Sequence, residues 1–297
     1  MVVATGFFDG VHLGHRFLID SLVEAARSRG EESLVVTFWP HPRTVLQNDA
    51  RSLRLLTSLE EKKALLEGLG VDRVAVLHFT RAFSRMTARE YLEEVIVGRF
   101  GASAVMLGYD NRIGSDCLGP EEVRGVAESL GLSVLSAPSF STDGVTVSST
   151  KIRSALSEGN VSRAGEMLGY HYGLHGVVVA GNRLGRTLGF PTANMQLYEP
   201  LKLLPGNGVY LVEVVLEGTL RHGMCNIGTR PTVGGSSVTV ETHIFDFDED
   251  IYGLDLRVAF LERIREEKRF SSLSELSAQL SRDRETCLQR LQGLAGI

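Results

Sequence analysis

The sequence predicts two domains of different class: an α/β domain built on a parallel sheet, followed by a small all-β barrel and a C-terminal helix. Three observations point there. Strand-like and helix-like segments alternate through the first half. After Arg153 the pattern changes to strands separated by glycine-rich turns. The length, 297 residues, suits two domains at about 150 residues each.

In order along the chain, residues 2–5 are a short β-branched strand. From Arg16 to Arg29, apolar Phe17, Leu18, Leu22, Ala25 and Ala26 form a helical stripe. Residues 33–38 are a continuous apolar run, the pattern of a strand buried on both faces. Ser58 opens a helix reaching Leu69, with Glu61 at capping-box spacing and Gly70 beyond the end. Strands at 73–77 and 104–107 and helices at 88–99 and 120–130 complete a β-α-β-α-β-α-β order, which implies a parallel sheet covered by helices. Short helices at 152–159 and 161–168 follow. Strands are then expected at 176–180, 208–216, 238–245 and 256–261, and a charged amphipathic helix at 274–291, with Gly293 as its stop. The expected division is 1–157, a helical linker at 158–172, and 173–297.

Hydrophobic residues make up 43% and charged residues 23% of the chain. That is enough apolar material to offset the entropy of ordering, so a disordered chain is excluded. Cys117, Cys225 and Cys287 are too scattered for a disulfide scaffold and read as reduced thiols, with the cytoplasm as the expected location. No run approaches the ~18 apolar residues of a membrane span, and the start lacks a signal-peptide pattern. A net charge of −5 argues against a broad nucleic-acid surface but leaves room for a local basic pocket.

Residues 6–15, G-F-F-D-G-V-H-L-G-H, fall where the first strand ends and a helix begins. In open α/β sheets that is the ligand-binding crevice, and a helix N-terminus there favours anions. Gly14 lets a phosphate approach the backbone, and His12 and His15 can donate hydrogen bonds to phosphate oxygens as charge shifts. The alternatives are a structural turn or a metal pair, and the metal pair is the weaker because catalytic zinc takes three protein ligands. Residues 147–153, V-S-S-T-K-I-R, place hydroxyl residues just before a helix, as plain N-caps do. Lys151 and Arg153 in its first turn oppose the helix dipole unless an anion sits there.

H-x-G-H after a first strand, with S-S-T-x-I-R after a late one, resembles the nucleotidyltransferase superfamily. T-F-W-P-H-P at 37–42 narrows the resemblance to the FAD synthetase branch. It implies a Rossmann-like nucleotidyltransferase domain in which the phosphate of FMN attacks the α-phosphorus of ATP. By that resemblance His12 and His15 steady the ATP phosphates as catalytic residues, with Gly6, Phe7, Asp9 and Gly14 around the nucleotide. Ser149, Thr150 and Arg153 would hold the leaving pyrophosphate, and Asp110 would meet the flavin. The family's G-x-D-F-x-F-G reads G-Y-D-N-R-I-G at 108–114, so Asn111 and Ile113 replace two aromatic residues.

Residues 181–194, G-N-R-L-G-R-T-L-G-F-P-T-A-N, are the sharpest motif. Gly181, Gly185 and Gly189 permit tight turns and close approach to a ligand. Thr192 and Asn194 offer hydroxyl and amide oxygens suited to a hard cation such as Mg²⁺. The spaced glycines alone would equally suit a hairpin with a turn at Pro191. The full string resembles the riboflavin kinase signature, and N-I-G-T-R-P-T at 226–232 and V-E-T-H-I-F-D-F-D-E-D-I-Y-G at 240–253 agree with it in order. The resemblance implies a six-stranded barrel with a C-terminal helix, Mg²⁺ at Thr192 and Asn194, and Glu241 as base for the terminal ribityl hydroxyl. Gly181, Gly185, Arg186, Gly189, Pro191, Asn226 and Arg230 would surround ATP and flavin. Read from the residues alone, Glu241 is an acidic side chain on a strand face. His243 is a structural neighbour, and Met195, Met224 and Phe270 are core.

Together the two halves resemble the bacterial bifunctional riboflavin kinase/FMN adenylyltransferase family. That implies conversion of riboflavin to FMN and of FMN to FAD, with ATP and Mg²⁺, and apo-flavoproteins as recipients of the products. Neither nucleic acid nor membrane is an expected partner, and self-association is left open. Two alternatives stay open at this point: a riboflavin kinase with a weakened adenylyltransferase site, motivated by Asn111 and Ile113, and a flavin-binding regulator without turnover.

Overall fold

The apolar runs of the first half become the strands of one parallel sheet. In the computed structural model, which describes residues 1–46, 53–108, 111–137, 140–142, 145–181, 184–232 and 235–295, the chain opens with β1 (Val2–Thr5), α1 (Leu13–Arg29), β2 (Ser33–Trp39), α2 (Pro42–Leu46), α3 (Leu59–Glu67) and β3 (Arg73–His78). It continues through α4 (Ala88–Glu90), a π-helix (Tyr91–Arg99), β4 (Ala104–Leu107), α5 (Pro120–Ser129) and β5 (Ser133–Ser136). The strand order is β3-β2-β1-β4-β5, all parallel. The order reverses between β1 and β4, which opens a crevice at their carboxyl ends.

Period-two alternation gives the sheet a core on each face. Val2, Ala4, Val35, Ala104 and Met106 pack with Ile19 and Leu22 of α1. Val3, Leu34, Val36, Phe38, Val105 and Leu107 pack with Leu92, Ile96, Val123 and Ala127 on the other side. The Ser58–Glu61 capping box forms as its spacing predicts. The helix over 88–99 forms too, but it is α only to Glu90 and π beyond. β5 has exposed serines at both ends and no clear alternation to mark it in the sequence.

A short pair, β6 (Ser141–Thr142) and β7 (Val145–Thr146), precedes α6 (Ser149–Ser157) and α7 (Val161–Leu168). The second half then runs β8 (Gly173–Val179), α8 (Leu184–Thr187), β9 (Ala193–Leu197), β10 (Gly208–Leu216), β11 (Thr219–Thr232), β12 (Gly235–Ile244), β13 (Asp255–Arg265) and α9 (Leu273–Ala295). Its six strands close into an antiparallel barrel of order β10-β11-β12-β9-β8-β13. Tyr210 and Phe260 meet edge to face in its buried interior, 5.2 Å between centroids. Outside, Cys287, Leu280, Leu288 and Leu291 of α9 pack on Val209, Leu211 and Met224. Arg265 clamps the buried Asp283 of α9 through Nε and Nη2 at 2.8–2.9 Å. This packing carries α9 through Gly293 to Ala295, past the stop expected at that glycine. By its contacts the chain divides into two units, Met1–Ser149 and Thr150–Ile297.

Candidate active sites

The first site is the turn that joins β1 to α1. Its backbone is strained: Phe8 and Val11 have φ of +49° and +37°. A β-branched residue there is a genuine outlier, of the kind that surrounding structure must enforce. The enforcement is visible. The Asp9 carboxylate accepts from the backbone N–H groups of Leu56 and Thr57 at 3.0–3.1 Å and from the Thr57 hydroxyl. Thr57 Oγ1 in turn accepts from Gly10 N–H, and Ser149 Oγ donates to Asp9 O at 3.0 Å. Asp9 and Ser149 therefore brace the turn.

His12 caps α1, its Nδ1 accepting from His15 N–H at 3.4 Å, which leaves the proton of a neutral His12 on Nε2. No acidic residue occupies the first turn of α1, so its free N–H groups and dipole favour an anion. The His12 and His15 rings stack at 3.7 Å and 14°. Gly14 lies against the His12 ring, where an added Cβ would sit 3.3 Å away. Burial, with the neighbouring His12 ring and the Lys62 ammonium, holds His15 well below the ordinary imidazole range. His15 is thus a neutral imidazole at pH 7, and its buried Nδ1 has no partner among the described residues. Phe7, 37% exposed, stands beside Phe38 and His41 with centroids at 5.1 and 5.5 Å. Thr150 and Arg153 follow Ser149 on α6.

The second site lies in the barrel. Strand register sets it: Glu241 of β12 pairs with Asn194 of β9 on one side and Asn226 of β11 on the other. Directly paired residues share a face, so three polar side chains form one row across three strands. Thr239 Oγ1 lies 3.3 Å from Glu241 Oε1. Thr192 sits where two clefts meet. One, about 260 Å³, is lined by Asn226, Thr239, Glu241, Arg265, Phe270 and Leu280 among others. The other, about 60 Å³, is lined by Arg186, Pro191, Phe247, Asp248 and Tyr252 among others. Gly181 and Gly185 are fixed by proximity: a Cβ on Gly181 would fall 2.2 Å from the Asn194 amide, and one on Gly185 the same distance from Phe190 O. Gly189 ends the following turn at φ +80°. His243 Nδ1 pairs with Pro191 O at 2.8 Å and so holds the strand entrance to Thr192.

Comparison with known proteins follows the two halves. The FAD synthetase family model matches residues 1–151 and the riboflavin kinase model matches residues 168–291. A bifunctional riboflavin kinase/FMN adenylyltransferase of Escherichia coli strain K12 is 39% identical over 284 residues, 95% of this chain and 90% of that one. The chain belongs to the bifunctional riboflavin kinase/FMN adenylyltransferase family. A Bacillus subtilis member is 33% identical over 301 residues, 99% of this chain and 93% of its own. A crystal structure from Streptococcus pneumoniae, described as a macrolide-efflux protein, is 33% identical with a TM-score of 0.90, covering 96% of this chain and 93% of that one. Among the described residues no helix here is long and apolar enough to cross a membrane.

The family's two aromatic positions now separate. Ile113 is buried in the core beside the π-helix and bridges Leu118, a packing position. Asn111 reaches from the end of β4 to Thr5 O at 3.4 Å, across the crevice floor. Asp110 lies outside the described residues, and Arg230 lies on β11 with its side chain outside them. Two residues stand apart from the sequence pattern. Phe270 is not core: it is half-buried and lines the larger cleft. Lys62, passed over within the charged run 60–63, is 4% exposed and donates to Phe7 O at 3.0 Å and Phe38 O at 3.3 Å. A signal existed, since Lys62, Leu66 and Leu69 share one helical stripe.

Proposed function

We propose that each unit carries one step of flavin cofactor synthesis, as the family name implies. The barrel transfers the γ-phosphoryl group of ATP to the terminal ribityl hydroxyl of riboflavin, giving FMN and ADP. The sheet domain transfers AMP from ATP to the FMN phosphate, giving FAD and pyrophosphate. The observation that carries the reading is the polar row Asn194–Glu241–Asn226 beside Thr192 at the meeting of two clefts. An alcohol in the larger cleft would present its proton to Glu241, while nucleotide phosphates in the smaller one would meet Thr192 and Arg186. Thr192 and Asn194 are the residues that would hold Mg²⁺. Their oxygens are of the type a hard cation takes, and Gly181 leaves the Asn194 amide the room a Cβ would fill. When bound, the cation neutralises phosphate charge during transfer.

At the first site the helix N-terminus, the neutral His15 and the Nε2–H of His12 would receive the phosphates of ATP. Ser149, Thr150 and Arg153 are proposed to hold the leaving pyrophosphate. The test is incubation with riboflavin, ATP and Mg²⁺, with flavins separated over time. FMN rising first and FAD following is the expected result. FMN without FAD would reject the first site, and no conversion would reject both.

A further inference from the structure

Lys62 has no part in the chemistry above. It projects from α3 beneath the turn of residues 6–11, and its ammonium joins the carboxyl ends of β1 and β2 through Phe7 O and Phe38 O. The Trp39 ring lies 5.8 Å from it. Thr37 Oγ1 also donates to Phe7 O, so that carbonyl is held twice. Among the described residues Lys62 makes no ion pair within 4.0 Å; the Asp9 carboxylate acts on it from farther away and is itself bound to Leu56 and Thr57. A buried ammonium is costly unless charge offsets it, and two carbonyls could be bridged by a neutral amide. A full charge at this point makes sense where negative charge arrives beside it.

We propose that Lys62 is a charged positioning residue of the adenylyl-transfer site, fixing the ends of β1 and β2 from below while supplying positive potential to phosphates bound on the turn above. The proposal rests on the phosphate-binding reading of residues 6–15. The titratable groups facing His15 are His12 on its own turn and Lys62 from α3; Asp9, on the loop after β1, faces Lys62. Lys62 thereby also opposes protonation of His15. Burial pushes the Lys62 ammonium down to about 8, so the free protein carries this charge at neutral pH and sheds it in mild alkali.

Two variants separate charge from hydrogen bonding. Lys62→Gln keeps N–H donors without charge, and Lys62→Arg keeps the charge at any accessible pH. For FAD formation from FMN, wild-type kcat/KM for ATP should fall above pH ~8. Lys62→Arg should stay within about threefold of wild type at pH 7 and hold its activity beyond that limb. Lys62→Gln should lose about tenfold to a hundredfold. Without substrate, the His15 imidazole followed by NMR should titrate at higher pH in Lys62→Gln than in wild type, with well-dispersed spectra reporting an intact fold. Glutamine working as well as lysine, or an unmoved His15 titration in the folded Gln variant, overturns the proposal. Wild-type protein that makes no FAD rejects the reading of the site instead, and the His15 titration still decides whether Lys62 acts on it.

Discussion

The two proposed sites differ in the groups that each brings together. The barrel presents a carboxylate, Glu241, in a row of neutral amides. The sheet domain brings together a stacked imidazole pair, a helix N-terminus and a buried ammonium, while the Asp9 carboxylate is bound to Leu56 and Thr57. The nucleophiles of the proposed assignment account for this. An alcohol must lose a proton as it attacks, so a base beside it helps. A phosphate is already ionised at neutral pH, so a base adds nothing and a carboxylate would repel it. What such a site can offer is position and positive potential. On the proposed assignment one chain holds two answers to phosphoryl chemistry, and the charge of the attacking group selects between them.

The sharpest way to break this comparison is Glu241→Gln. FMN formation should fall about a thousandfold while FAD formation from supplied FMN is unchanged, measured as separate initial rates. Equal loss in both would refute the division of labour. Asp283→Asn comes next. It leaves Arg265 facing a neutral partner where the carboxylate is 2% exposed, and should lower barrel stability by about 3 kcal/mol in urea titrations. His15→Ala should cut FAD formation about a hundredfold and spare FMN formation; full FAD output would remove this histidine from the phosphate site. The smallest effect is of pH. Folding holds His15 below its ordinary value of 6.5, so below that pH the unfolded chain binds the extra proton. Stability of the sheet domain should therefore decline as pH drops through 6.5, by at most about 1.4 kcal/mol per pH unit. A melting temperature independent of pH between 7 and 5, roughly the window in which imidazoles titrate, would contradict this.

Much of this was legible because apolar pattern and motif agreed. The buried run at 33–38 gave β2, the Ser58–Glu61 spacing gave the start of α3, and 208–216 gave β10. The losses share a cause: the signal lay in backbone or in partners rather than in side-chain type. The change to π-helix at Tyr91 alters hydrogen-bond register without altering composition. β11 ends in a stretch of glycine, arginine and proline that hides its alternation, though the barrel pairs all of 223–232 with β12. α1 begins at Leu13, three residues before the expected start, because His12 serves as a cap that cap statistics do not favour. The candidate residues were found by motif, yet the row that unites Asn194, Glu241 and Asn226 exists only through strand register. Lys62 and Lys63 look alike in a charged run, and only the stripe that Lys62 shares with Leu66 and Leu69 separates them before the helix is docked.

One consequence concerns α9. Leu276 and Leu280 of this helix line the larger cleft, and Arg265, whose grip on Asp283 fastens the helix, lines it too. The six strands complete their ring of hydrogen bonds without the helix. Cutting the chain after Phe270 would therefore remove one side of the larger cleft and uncover Val209, Leu211 and Met224. The last helix thus serves twice, covering barrel side chains and walling the larger cleft.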